Sequence, residues 1–319
     1  MARYTRNSAI LAKVETTEGT DSTPTGASNA MLVSDMSINP LNAQNVDRSL
    51  VRNYFGASEQ LVGTAYLSVE FTVELAGSGT AGTAAPWGAL LKGCGFAESG
   101  LVTYAAYTPD TPANQKSVTI YYYDDGVLHK LLGAKGNLQL MLGVGERPTM
   151  KFSFIGKDGG ITAASLPSTT LTGWKAPLVI TDTNTADVKL GGTYSAGAVT
   201  SGTSYTSRGM ELNCGNNVQF TPLLGGEYVD ITAREVTGSL QLDLTAAQEV
   251  TFTGTVKANT LSAISLEHGA TSGYIVGVYM TQAQLINPSK QDVNGRRLIG
   301  YDIRSVPSTG NDDLIIYTK

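Results

Sequence analysis

The sequence predicts a mainly β protein made of two similar halves, each with several strands and one short helix. Three observations support this prediction. Glycine is frequent (36 of 319 residues) and charged residues are scarce (15 %), which is typical of short strands joined by many turns. Residues 66–75 alternate between apolar and polar side chains, as a half-buried strand does. A shift of 173 residues lays the second half of the sequence over the first.

The composition argues against several classes of protein. A net charge of −5 does not suit a protein that grips nucleic-acid phosphates, which needs clustered lysine and arginine. Cys94 and Cys214 stand far apart in unlike contexts, and we expect both to be buried thiols in a reducing cytoplasm. Residues 1–26 contain no apolar run long enough for a signal peptide or a membrane span. We therefore expect a soluble protein that is not secreted by that route.

The chain divides into three predicted parts. Residues 1–29 are predicted to form an extended N-terminal arm, because Thr16–Ala27 is polar and lacks periodicity. Residues 30–177 are assigned to a first domain and residues 178–319 to a second, with the boundary in a stretch rich in Thr, Ser and Gly.

A glycine run follows the strand predicted at residues 66–75. Gly77–Gly82 has the G-x-G-x-x-G spacing of dinucleotide-binding loops, which need a preceding parallel strand that is apolar on both faces. This strand instead carries Glu70 and Glu74 on a polar face, and these carboxylates would repel a pyrophosphate. The run is therefore predicted to be a connector, and no cofactor is expected.

The internal repeat predicts where the helices lie. The shift of 173 residues places Leu67–Phe71 on Leu240–Leu244 with apolar and acidic positions in phase. It predicts helices near residues 86–93 and 260–268, the second capped by Asn259 and closed by His268 and Gly269. A rival register pairs Val69–Thr72 with Val250–Thr253, so the alignment of the halves stays open.

Turn signals divide the rest of the first half into a meander. Asp124–Gly126, Gly133–Gly136 and Gly145–Pro148 are each predicted to be hairpin turns. The counterpart strands in the second half are expected within 273–280, 297–305 and 314–318.

No catalytic or metal-binding pattern emerges from the residues. His129 and His268 have no cysteine or carboxylate at metal-ligand spacing, and both are interpreted as surface or capping residues. Asp124–Asp125 and Asp312–Asp313 are interpreted as turn residues. Tyr121–Tyr123 lacks the interleaved basic residues of a base-stacking surface, which favours packing and an interface. The protein is not expected to be an enzyme.

Five stretches distributed over both halves resemble the major tail proteins, the tail tube subunits of long, non-contractile tailed bacteriophages. They are Ile10–Pro40, Ala85–Phe96, Arg234–Leu244, Asn259–Val276 and Gly310–Thr318. The resemblance implies a β-sandwich with a flanking helix, assembled into stacked rings around a channel through which DNA leaves without catalysis. It also implies assembly in the bacterial cytoplasm, a place in the virion tail, and contacts with tail tip, tape measure and tail terminator proteins.

Two apparent tube domains in one chain depart from the single domain of most such subunits. This departure suggests a ring of three chains with pseudo-sixfold symmetry in place of a hexamer. The N-terminal arm is then expected to be mobile in a free subunit, with Ile10, Leu11 and Val14 docking on a neighbouring ring.

The same resemblance assigns a role to the polar faces of the two matching strands. A wall of carboxylates and hydroxyls would repel the DNA backbone and keep a water layer in the channel. The residues predicted to face the channel are Ser68, Glu70, Thr72, Glu74, Ser239, Gln241 and Asp243. The same strands could equally face outside solvent. An alternative function is a carbohydrate- or receptor-binding β-sandwich module of a virion fibre or decoration protein.

Overall fold

The computed structural model describes residues 3–319 and is mainly β. Nine strands precede residue 178: β1 (Ser8–Val14), β2 (Ala30–Met31), β3 (Val33–Asp47), β4 (Gln60–Glu74), β5 (Phe96–Gly100), β6 (Ala105–Pro109), β7 (Val118–Asp124), β8 (Val127–Gly143) and β9 (Thr149–Ala163). Twelve follow: β10 (Val188–Leu190), β11 (Thr193–Ser195), β12 (Ala198–Thr200), β13 (Thr203–Tyr205), β14 (Ser207–Asn213), β15 (Asn216–Leu223), β16 (Gly226–Arg234), β17 (Thr237–Leu242), β18 (Leu261–His268), β19 (Val276–Val293), β20 (Arg296–Val306) and β21 (Ile315–Thr318). The helices are α1 (Gly26–Asn29), α2 (Gly88–Gly93) and α3 (Ala246–Lys257), with a 3-10 turn at Pro112–Asn114.

Eight strands form one continuous antiparallel layer that crosses both halves of the chain. Their order is β3–β4–β9–β8–β14–β17–β20–β19. Each half contributes four neighbouring strands, and the pairing of β8 with β14 joins the halves. All of these pairings are antiparallel, so the first half is not the parallel sheet that a dinucleotide fold requires.

A second layer packs on the apolar face of this sheet. It contains β1, β7 and the first part of β8 from one half, and β10, β18 and the first part of β19 from the other. β21 pairs with both β19 and β6, which links the halves again. One apolar core with residues from both halves lies between the layers, which makes the molecule a β-sandwich. The division of the chain into two domains at residue 178 stays a prediction.

The alternation predicted for residues 66–75 is confirmed in β4. The apolar side chains of the stretch 66–75 that alternate with polar ones are at most 1 % exposed: Leu67, Val69, Phe71, Val73 and Leu75. Burial of each such side chain contributes about 1.5–3 kcal/mol relative to exposure. The polar side chains between them therefore lie on the opposite face of the sheet.

The helix predicted near residues 86–93 is confirmed as α2, but the helix predicted at 260–268 is wrong. Residues 261–268 form β18, which pairs with β10 and β19. The helix of the second half is α3, which precedes β18. The two halves differ in the link between strand and helix, which covers residues 75–87 in the first half and only 243–245 in the second. Because the links differ in length, one fixed sequence shift cannot predict the position of the second helix from that of the first. Asn259 is therefore not an N-cap, and follows the end of α3 with a φ of 53°.

Two of the three predicted hairpin turns are confirmed. Asp125 and Gly126 have φ angles of 36° and 90° in the turn between β7 and β8, as a type I′ turn requires. Gly145–Pro148 belongs to the connection between β8 and β9. The turn predicted at Gly133–Gly136 is wrong, because β8 continues through it with a bulge between Leu132 and Lys135.

The prediction of an arm that does not pack on its own core is wrong for β1. This strand pairs along its whole length with β7, and Ile10 and Leu11 are 0 % and 1 % exposed. A short apolar run inside a polar segment is sufficient for an inner strand when both neighbours come from elsewhere in the chain. Residues 1 and 2 of the predicted arm lie outside the described residues.

Candidate functional site

The residues predicted to face a channel share one face of the eight-strand layer. Directly paired residues on antiparallel strands point to the same side, so Glu70 shares a face with Ser153, and Ser239 with Glu211 and Asp302. The register across the eight strands extends this face over Ser37, Asn39, Ser68, Glu70, Thr72, Glu74, Thr149, Lys151, Ser153, Asn137, Gln139, Glu211, Asn213, Thr237, Ser239, Gln241 and Asp302, together with Arg304 and the apolar Met141, Ile155 and Ile286. The structure thus brings together predicted residues from both halves, with Asp243 directly after the end of β17.

Basic side chains also lie on this face, which sequence reasoning missed. Lys151 Nζ is 3.0 Å from Glu70 Oε2, and Arg147 Nη1 is 2.8 Å from Glu74 Oε1. The expectation of a wall made only of carboxylates and hydroxyls therefore needs correction. The sequence did contain a signal for Lys151, because this residue stands between the apolar Met150 and Phe152, and period-two alternation assigns it to the polar side of the strand.

The second half repeats the arrangement of one of these pairs. Arg296, at the start of β20, forms an ion pair with Asp243, which directly follows β17. In the first half, Arg147 just before β9 forms the corresponding pair with Glu74 at the end of β4. Exposed pairs of this kind contribute about 0–1 kcal/mol to stability. Their chemical effect is to place a carboxylate beside each of these solvent-exposed cations.

A shallow depression of about 530 Å³ crosses this face where the two halves meet. Its lining includes Gln139 from β8, Glu211 from β14, Ser239 from β17 and Arg304 from β20. Arg304 is 3.2 Å from Glu235. The depression is open, and its lining combines amide, hydroxyl and carboxylate groups with apolar side chains such as Met141 and Ile286.

Ile10, Leu11 and Val14 do not form a surface of their own. Ile10 and Leu11 are covered by the same chain, and Val14 packs against the main core. A buried glutamate holds the end of this strand, since Glu15 accepts hydrogen bonds from Ser117 (2.6 Å) and Thr119 (2.8 Å). Docking of these three residues on a neighbouring ring is accordingly not retained.

The histidines are more buried than predicted. His268, at the end of β18, is 3 % exposed, so its interpretation as a surface or capping residue is wrong. Its Nε2–H donates to Leu178 O (3.1 Å), and its Nδ1 accepts from Thr185 Oγ1 (2.8 Å). Burial lowers the pKa of His268, and the pKa of the half-buried His129 is lowered by the same cause.

The cysteines are confirmed as buried free thiols. Burial raises the pKa of Cys94 well above its ordinary value and that of Cys214 to about 12. Neither thiol is therefore in the reactive thiolate form at neutral pH. Among residues 3–319, no three His, Cys, Asp or Glu side chains are placed to hold a metal ion.

A family model described as phage tail tube protein matches residues 5–318. The chain belongs to this family. The match covers both halves and confirms the resemblance found in the sequence, so the protein is a structural component of the phage virion tail. No curated protein matches the chain. Within residues 3–319, no helix has the length and apolarity to cross a membrane.

Proposed function

We propose that this tail tube protein polymerises into stacked rings, and that the polar face of the eight-strand layer lines the channel through which phage DNA is ejected. The observation that supports the proposal is the continuity of that face across both halves. The predicted residues of β4 and β17 lie on the same side of one sheet, with β9, β8 and β14 between them. A layer that curves around a channel needs such a face, because DNA must slide past it without binding.

The charges of this face suit passage of a polyanion. Free lysine and arginine bind DNA phosphates by releasing counterions, and each such contact adds salt-dependent affinity. Here Lys151, Arg147 and Arg296 are each held by a carboxylate of the same face. Glu211 adds an exposed carboxylate. The wall therefore offers phosphates few unpaired cations.

The two halves also support the proposed ring of three chains. Each half contributes four strands to the layer in the same relative order, so three chains supply six four-strand units around the axis. An interface between different surfaces closes into a ring when its rotation is suitable, and such rings can stack. Tail tip, tape measure and tail terminator proteins would then meet the ends or interior of the tube. Rings would assemble in the host cytoplasm and perform no catalysis.

Electron microscopy of the concentrated protein tests the proposed assembly. Tubes or stacked rings support it, whereas dispersed monomers at all concentrations favour the alternative, a carbohydrate- or receptor-binding module. Mass measurement of isolated rings decides between three and six chains.

A charge reversal tests the channel wall. In the double variant Glu70→Lys and Glu74→Lys, the two new lysines, Lys151 and Arg147 all face the channel without these carboxylate partners. Tubes should still form, while DNA ejection slows at low salt and recovers at high salt. The matched control is Asp182→Lys with Glu227→Lys, which changes the charge equally at exposed positions outside the eight-strand layer. Normal ejection by the first variant at low salt would place Glu70 and Glu74 outside the channel.

A further inference from the structure

We propose that residues 35–39 of β3 pair with residues 289–293 of β19 in a second copy of this chain, antiparallel and in a defined register. This pairing would continue the eight-strand layer from one subunit to the next. The inference rests on the proposed ring assembly and adds the two edges and the register that close it.

The template for this contact lies inside the chain, where β14 pairs with β8. Gly209 is opposite Gly143, and the register continues to Asn213 opposite Gln139. Backbone hydrogen bonds from Val144 N to Arg208 O (3.1 Å) and from Cys214 N to Leu138 O (2.9 Å) flank this stretch. We call the β14–β8 pairing the internal seam.

β3 has the same place in the first half that β14 has in the second. β3 pairs with β4 as β14 pairs with β17, and both strands carry a bulge at the same point. Each bulge contains a residue with positive φ, Asp35 (51°) in β3 and Gly209 (92°) in β14. Beyond the bulge the matched pairs are Ser37–Glu70 with Glu211–Ser239, Ile38–Val69 with Leu212–Gly238, and Asn39–Ser68 with Asn213–Thr237.

β19 has the place in the second half that β8 has in the first. Met150 of β9 lies opposite Val73 and Leu140, and Ile299 of β20 lies opposite Leu242 and Lys290. Residues 289–293 therefore match residues 139–143, which form the β8 side of the internal seam. Both hairpins also contain a bulge before this stretch.

Both proposed edges are open in the single chain. Within residues 3–319, β3 pairs only with β4, and residues 289–293 pair only with β20. Open strand edges are sites where another strand can be added. Transfer of the internal seam places Ser37 opposite Gln291 and Asn39 opposite Ser289, so the polar face continues across the contact. Pro40 replaces Cys214 at the end of the stretch and has no N–H to donate, so the new seam should end at Asn39.

The hairpins that follow β14 and β3 support a second copy of this chain as the partner of the β3 edge. The β15–β16 hairpin follows β14 and lies across the first half, with Phe220 and Tyr66 rings 5.1 Å apart and Asp230 3.2 Å from Lys135. Residues 40–66 follow β3 in the same way, yet Val51 and Phe55 at their tip are fully exposed. A neighbouring copy seated at the β3 edge would offer this hairpin the corresponding surface.

A cysteine cross-link across the proposed seam tests both the edges and the register. In the internal seam, the flanking hydrogen bonds make Glu211–Met141 a pair without mutual backbone bonds, which brings Cα atoms to the spacing that a disulfide accepts. The equivalent pair is Ser37 and Gln291. We expect Ser37→Cys with Gln291→Cys to form chains linked through disulfides when tubes are oxidised. The yield should be roughly tenfold above that of Ser37→Cys with Asp292→Cys, whose side chains point to opposite faces.

The outcomes separate this inference from the assembly on which it rests. If wild-type protein forms no tubes, the ring assembly fails. If tubes form but the 37–291 pair does not cross-link, or links no better than the 37–292 pair, the seam is wrong and the assembly stands. Asn39→Cys with Ser289→Cys is a second pair in the same register, for use if the first does not form tubes when reduced. Covalent products that end at three chains, or at six, count the subunits in the closed ring.

Discussion

Two hairpins occupy the same place in the strand order but lie in different surroundings. The β15–β16 hairpin is held by the first half, where Asn216 Nδ2 donates to Cys94 O (2.8 Å) and Gly136 O (2.9 Å). The hairpin of residues 40–66 instead exposes Val51 and Phe55 at its tip. The β14 edge of the second half is covered by β8 of the first half, whereas the β3 edge of the first half is open in the described residues of the single chain. In the proposed assembly, this difference assigns the β3 edge to the contact with a second copy.

The link after β4 is longer than the link after β17, and its additional residues contact the second half. The longer link contains Gly77–Gly82 and passes close to the second half, where Gly79 N donates to Gly273 O (2.9 Å). A Cβ atom on Gly77 would lie 2.2 Å from Gly273 O. The glycines therefore permit two backbones to approach, which explains the run without a nucleotide. Further along the first half, β6 pairs with β21 of the second half. The link and β6 therefore both connect the two halves.

The largest effect should come from breaking the internal seam at Leu212. This side chain is 3 % exposed in the core, so Leu212→Ala should cost about 3 kcal/mol of unfolding free energy. The matched variant is Ile38→Ala, at the equivalent position of the open edge. Because Ile38 is only half-buried, this variant should cost less than about 1 kcal/mol in the free subunit while weakening tube formation.

Urea unfolding under non-assembling conditions measures the two costs, and electron microscopy measures assembly. Equal destabilisation of the free subunit by both variants would mean that the β3 edge is already covered. Normal tubes from Ile38→Ala would show that this position lies outside the subunit contact.

A similar effect is expected at the N-terminal strand. Ile10→Ala removes a side chain that is 0 % exposed, and it should lower the unfolding free energy by about 2–5 kcal/mol. Tyr4→Ala is the control, because Tyr4 is 69 % exposed and its loss should change stability by less than about 0.5 kcal/mol. Thermal unfolding of the free subunit compares them. If Ile10→Ala unfolds like the wild type and fails only in assembly, β1 acts as an arm after all.

The sequence predicted faces better than it predicted positions along the chain. Period-two alternation in β4 identified both its core residues and its polar residues, because the alternation of side chains is a local property. The predicted alignment of the two halves was wrong, because it depends on the lengths of links and is not a local property. Val73 and Leu242 both pair with core residues of the next strand, Met150 and Ile299, a correspondence of 169 residues and not 173. Links of unequal length hide such an offset.

Contacts distant in sequence were the least predictable. Nothing in residues 209–213 alone indicates that they pair with residues 139–143, or that β1 pairs with residues 118–124. The capping box at the start of α3 was different, because its signal is local and was missed. Thr245 and Gln248 have the required spacing, and the repeat was given more weight than this spacing.

That capping box should have a smaller, measurable effect. Gln248 N donates to Thr245 Oγ1 (3.3 Å) and Thr245 N donates to Gln248 Oε1 (2.9 Å). Thr245→Ala should therefore cost about 1 kcal/mol of unfolding free energy. Thr251→Ala in the middle of the same helix is the control and should be neutral or slightly stabilising, because alanine has the higher helix propensity. Equal losses in urea unfolding would mean that the cap does not hold α3. Helix α2 offers no comparable variant, because its N-cap residue Trp87 makes no capping hydrogen bond through its side chain.

The smallest effect should be a pH dependence that originates at His268. Burial lowers its pKa in the folded protein, below the value near 6.5 of an unfolded chain. Between those two pKa values the unfolded chain binds more protons than the folded one, so stability should fall as the pH decreases through this window and level off below the folded pKa. His268→Gln removes that contribution and should reduce the dependence on pH. His129→Gln is the comparison in the first half, where burial also lowers the pKa but His129 is only half-buried. Urea unfolding at pH 7.5 and at lower pH values measures each dependence. An unchanged dependence in His268→Gln would show that His268 has the same pKa in both states and that its burial does not hold it neutral.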